Sequence, residues 1–163
     1  VIQVIPTELT QSQFLSIGSG DLERRIAYRR RLASAPSLPG LVWFGGFRSD
    51  MLATKATALD VAAADRGRAA LRFDYSGHGE SGGRFVDGTI SRWLEESLAV
   101  VRQLSDGPQI LIGSSMGGWL ALLVARALEA AGERDRIAGL VLIAPAVDFT
   151  QALLWDGLDA AAR

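Results

Sequence analysis

A chain of 163 residues, 48% hydrophobic and 21% charged, is the size of one domain and carries enough apolar side chains for a core of its own. A formal charge of −1 from 17 basic and 18 acidic side chains excludes the electrostatic footprint of a nucleic-acid surface or an acidic interaction tail. With no cysteine, disulfides and thiolate metal sites are excluded too, which leaves small-molecule chemistry or a protein partner.

The first residues, V-I-Q-V-I-P-T-E-L-T, lack a basic stretch ahead of a long apolar one and do not read as a secretory signal. Beginning at Val1 rather than Met, they are expected to be the trimmed front of a chain. Residues 14–17 predict a first strand, residues 18–21 a turn, and residues 24–31 a second strand with Ile26 and Tyr28 on one face. The arginines of this antiparallel hairpin suit an exposed edge. Residues 33–40, with Pro36 and Pro39, are a loop. Residues 41–44, L-V-W-F, are wholly apolar, as in the buried middle of a parallel sheet, and run into Gly45-Gly46-Phe47.

Leu52, Ala56, Leu59 and Ala63 recur at helical spacing and predict a crossover helix over residues 51–65, stopped by Gly67. A strand over 69–73 follows, then a loop rich in glycine and hydroxyls over 74–83. Ile90, Trp93, Leu94, Leu98, Val101 and Leu104 mark a second helix, broken by Gly107-Pro108. Next come a strand over 110–112, a helix from Trp119 to the stop at Gly132, and a buried strand over 137–144. From Asp148 the pattern is that of a helix beginning. This alternation predicts a single α/β domain with a doubly wound, mostly parallel sheet that ends at residues 137–144, an apolar edge open to pairing with another chain. The most apolar helix meets Arg126 before it could span a bilayer, so a soluble chain with no membrane span is expected.

Between the strand at 110–112 and the helix that follows lies Gly113-Ser114-Ser115-Met116-Gly117. This is G-x-S-x-G in a strand-turn-helix setting, where a serine nucleophile is presented on a sharp elbow. Ser115 is the candidate catalytic residue. Gly113 and Gly117 are the elbow glycines, because a side chain at either would collide with the neighbouring strand or helix. The Met116 amide, at the positive end of the helix dipole, is a candidate oxyanion donor. The Phe47 amide, in the loop after strand 41–44, is the candidate second donor. Ser114, at an x position, reads as structural. The bland reading of the same letters is a Gly/Ser turn in a chain with 18 glycines.

Three other features are weighed against that elbow. Residues 77–82 match G-x-G-x-x-G, but no helix opens on them and no acidic strand end follows about twenty residues later, so a dinucleotide site is not expected. His78 is the single histidine. In a doubly wound order the strand before it lies one strand beyond the neighbour of the nucleophile strand, so it reads as a loop residue held by hydrogen bonds rather than as the base. Asp148 reads either as a triad acid or as a helix N-cap. Arginine predominates so far over lysine, with Lys55 alone, that the bias reads as composition rather than phosphate binding.

These residues together resemble the α/β-hydrolase superfamily, and within it the palmitoyl-protein thioesterase and acyl-glucuronide esterase group of mitochondria and related bacteria. The likeness is carried by W-F-G-G-F at 43–47, T-K-A at 54–56, R-F-D-Y-S-G at 72–77 and D-G-P-Q-I-L-I-G-S-S-M-G-G-W at 106–119. It implies a serine hydrolase that cleaves acyl esters or thioesters, acylated proteins among its substrates, through an acyl-enzyme on Ser115, with no metal or organic cofactor. It also implies that the chain is the front of a single hydrolase domain, C-terminally truncated before the lid, the last strands, the catalytic acid and the catalytic histidine. Such a fragment is expected to be weak or inactive. The place implied is the bacterial cytoplasm or the mitochondrial matrix. The rival reading is a non-catalytic hydrolase-like binding module that keeps the elbow without the triad.

Overall fold

The apolar runs and amphipathic stretches of the sequence become one sheet flanked by helices in the computed structural model, which describes residues 11–35 and 37–150. Its strands are β1 (Gln13–Ile17), β2 (Arg24–Arg31), β3 (Gly40–Phe44), β4 (Ala70–Phe73), β5 (Gln109–Ser114) and β6 (Ile137–Ile143). Its helices are α1 (Thr54–Asp65), α2 (Ile90–Leu104) and α3 (Met116–Ala130). The strand order is β1-β2-β4-β3-β5-β6. β1 and β2 form the expected hairpin, β2 meets β4 antiparallel, and β4, β3, β5 and β6 run parallel.

Strand alternation sorts the core into two layers. Val42, Phe44, Leu71, Phe73 and Leu111 face the side of α2 and α3, where they meet Val100, Val101, Leu120 and Val124. Leu41, Trp43, Ala70 and Ile112 face α1. The buried residues of α1 are Ala56 and Ala63, so this helix lies close against the sheet.

Several expectations are corrected. The arginine strand β2 is interior, between β1 and β4. Three of its five arginines find acidic partners there: Arg31 with Asp60, Arg29 with Glu80, and Arg24 with Glu95 and the fully buried Glu96. Arg24 Nε lies 2.9 Å from Glu96 Oε1 without the alignment of a hydrogen bond, so that contact is electrostatic. α1 begins at Thr54, leaving Met51 and Leu52 in the preceding turn. α3 begins at Met116, three residues before Trp119, because the chain passes from strand to helix within Ser115 itself. β6 is not buried throughout: Leu140, Val141 and Ile143 are exposed, and among the described residues no further strand pairs with it. The helix expected after Asp148 lies, from residue 151 on, outside the described residues.

Candidate active site

A parallel sheet delivers the C-terminal ends of its strands, and the loops that follow them, to one rim. Here that rim holds the loop after β3, the loop after β4 and the β5–α3 elbow. Ser115 occupies the elbow with φ 55° and ψ −122°, a conformation that side chains rarely adopt. Hydrogen bonds hold it there: its N–H donates to Ile143 O at 3.0 Å, and its carbonyl accepts from Gly118 and Ala146. The serine is exposed while Ser114 and Met116 on either side are buried.

The glycines around it are sterically required. A Cβ on Gly113 would strike the Gly117 carbonyl, and one on Gly117 would strike the carbonyls of Phe44 and Gly45. On Gly118 a Cβ would come within 2.8 Å of Pro145. The loop after β3 reaches the serine through Gly46, where a Cβ would lie 3.5 Å from Ser115 Cβ. Among the described residues, the Met116 and Phe47 amides have no protein acceptor. They belong to the two elements expected to supply oxyanion donors, the start of α3 and the loop after β3.

That loop is laced to the loop after β4 by residues whose role is non-local. Tyr75 Oη donates to Gly45 O at 3.2 Å, Asp74 Oδ1 accepts from Met51 N at 2.7 Å, and Arg72 donates to Met51 O. His78 Nε2 accepts from Arg48 N at 3.3 Å, while Nδ1 faces Ser76 O at 3.3 Å. These partners require a neutral ring with its proton on Nδ1. His78 is therefore a clamp on the residue after Phe47, and its ring is engaged away from Ser115. Arg48 itself sits at φ 55°, so the loop is held in a conformation it would not choose alone. Asp148 is exposed at φ 57°, directly before the helical Phe149, and among the described residues it makes no hydrogen bond to the serine. Among the described residues no imidazole or carboxylate bonds the Ser115 hydroxyl, and no group of metal-ligating side chains occurs.

Burial pushes the Asp74 carboxyl up, against the two backbone amides that stabilise its charge, and raises the Tyr75 hydroxyl well above its ordinary range. Burial lowers the His78 imidazole, with the Ser76 carbonyl working the other way. The clamp therefore has a pH dependence of known sign. With the folded value below the ordinary one of about 6.5, its contribution is complete above that pH and is lost as the pH falls through the folded value. An NMR titration of the imidazole is expected to give a midpoint below about 6.5, with the Nδ1–H tautomer at neutral pH. A midpoint above it would mean that the ring does not accept the Arg48 amide.

The family described as Serine aminopeptidase, S33 matches over residues 41–162, which takes in the elbow, both loops and the helices α1, α2 and α3. The chain belongs to this family. Among curated members of the wider α/β-hydrolase fold, human mitochondrial palmitoyl-protein thioesterase ABHD10 is 37% identical over 123 residues, 76% of this chain and 38% of the relative. A structure designated a hydrolase, from Agrobacterium vitis S4, superposes with a TM-score of 0.86 at 46% identity, over 93% of this chain and 58% of that one. Mouse α/β-hydrolase domain-containing protein 10 gives 0.76 at 32% identity, over 91% and 56%. The fold is thus the α/β-hydrolase fold, and the chain spans under two fifths of the length of its human relative.

Proposed function

We propose that this hydrolase chain carries the nucleophile and oxyanion half of a serine esterase or thioesterase site. Ser115 is the nucleophile in this reading, and the Met116 and Phe47 amides receive the charge that develops on the carbonyl oxygen of the substrate. The observation that carries it is the Ser115 backbone, held at φ 55° by three hydrogen bonds with its side chain exposed to solvent. An apolar wall stands beside the serine: Phe47 packs edge-on against Phe85 and Phe149 at 5.0 and 5.4 Å, which suits an acyl chain. The thioesterase named among the relatives favours acyl thioesters and acylated proteins as substrates. In this reading the base that takes the serine proton is none of the described residues, since His78 is committed to Arg48. The mitochondrial name of that relative favours the mitochondrial matrix, or the cytoplasm of a bacterium.

Fluorophosphonate labelling of the protein at its natural length, followed by peptide mapping, tests the reading. The adduct is expected on Ser115, and Ser115→Ala is expected to lose both the adduct and ester hydrolysis by about three orders of magnitude or more. An adduct on another residue, or hydrolysis that survives the substitution, overturns it.

A further inference from the structure

Ser115 opens onto a cleft of about 310 Å³ on the α1 side of β3, lined by Trp43, Gly46, Phe47, Ser49, Thr54 and Lys55 among others. Attack on a carbonyl does not use three features of this cleft. Trp43 is 3% exposed, yet its indole Nε1–H has no acceptor. Buried donors are nearly always paired, so this one marks a place where an acceptor belongs. The N–H lies toward the rim end of β3, 3.9 Å from where a Cβ on Gly45 would sit.

The second feature is the start of α1. Its N-cap is Ala53, which has no side chain to accept from the first turn, and that turn holds no acidic residue. Among the described residues the Thr54 and Lys55 amides donate to no acceptor, so the positive end of a twelve-residue helix stands open on the cleft. The third is Lys55. Sequence composition made it an isolated lysine of no note. In the fold Lys55 is an exposed residue of the cleft lining and has no ion pair among the described residues.

We propose that this cleft binds an anionic oxygen group of the substrate, a carboxylate or a phosphate placed a few bonds from the carbonyl that Ser115 attacks. The indole N–H, the helix amides and the Lys55 ammonium are donors of one sign on residues that line one cleft, and an anion is the group that suits all of them. The position of the group relative to the scissile bond rests on the hydrolase reading, whereas binding itself does not.

The test is an amide and indole ¹⁵N–¹H NMR titration of the Ser115→Ala chain with inorganic phosphate, with acetate, and with uncharged methyl acetate. The Trp43 indole and the Thr54 and Lys55 amides are expected to shift together and saturably with an anion and not with the ester. Tighter binding in the phosphate arm assigns a phosphate to the substrate, and in the acetate arm a carboxylate. Trp43→Phe is expected to weaken binding about tenfold or more. Lys55→Gln is expected to weaken it severalfold and flatten its salt dependence. Should Trp43→Phe fail to give a folded spectrum, Lys55→Gln decides. The proposal is overturned if neither anion gives a site-selective shift, if methyl acetate gives the same shift, or if binding is unchanged in the folded variants. Because the titration uses Ser115→Ala, its outcome is independent of whether fluorophosphonate labels Ser115.

Discussion

Replacing Gly117 with alanine is expected to cost the fold about 3 kcal/mol or more, at or beyond the upper end for overpacking a core. The reason is the identity of the obstructing atoms. The new Cβ would overlap the carbonyls of Phe44 and Gly45, at the end of β3, and backbone in the middle of a parallel sheet has no rotamer to turn to. Either α3 lifts from the sheet, exposing Leu120 and Val124, or the β3 end moves and carries Gly46 away from Ser115. Thermal melts read by circular dichroism should fall by about 10 °C for a chain of this size. Gly139→Ala is the control: its Cβ would meet nothing within 4 Å, and a change within about 1 kcal/mol is expected. If Gly117→Ala melts with the unmodified chain, α3 does not approach β3 this closely.

The same close approach explains what could and could not be read from the sequence. Strands β3 and β5 were legible because a short apolar run bounded by glycines has few alternatives, and the elbow was legible because G-x-S-x-G fell between a strand and a helix. The first turn of α3 was not. Met116-Gly117-Gly118 has poor helix propensity, so local reasoning starts the helix at Trp119, whereas packing against β3 and Pro145 demands glycine inside the helix. β2 was placed at an edge because its arginines look solvent-facing. Their partners, Asp60, Glu80 and Glu96, come from three separate stretches, and no local pattern announces such pairs. Strand order sets His78 apart from the nucleophile strand, yet its hold on Arg48 across thirty residues is a property of the fold alone. The exposure of β6 depends on what covers it, which its own letters do not say.

Substituting Ser115 with glycine is expected to raise stability by about 1 kcal/mol while lowering fluorophosphonate labelling by about three orders of magnitude or more. At φ 55° and ψ −122° a Cβ crowds its own backbone, a cost of about 1–3 kcal/mol that glycine escapes. Glycine returns part of this gain through the greater freedom of its unfolded chain, roughly 0.5–1 kcal/mol, so the net rise is a few degrees in melting temperature. Ser115→Ala separates the two effects, since it removes the hydroxyl but keeps the Cβ and hence the strain. It should lose labelling as fully as glycine and melt close to the unmodified chain. The difference between the glycine and alanine melts then measures the backbone strain less the unfolded-chain freedom that glycine adds. If the glycine variant melts no higher than the alanine variant, the strain at the elbow is no larger than the roughly 0.5–1 kcal/mol that glycine loses through its unfolded chain. If it melts higher, the hydrogen bonds to Ile143, Gly118 and Ala146 are holding an unfavourable conformation. The effect of that conformation is to leave the serine side chain exposed between the buried Ser114 and Met116, where the proposed nucleophile would be needed.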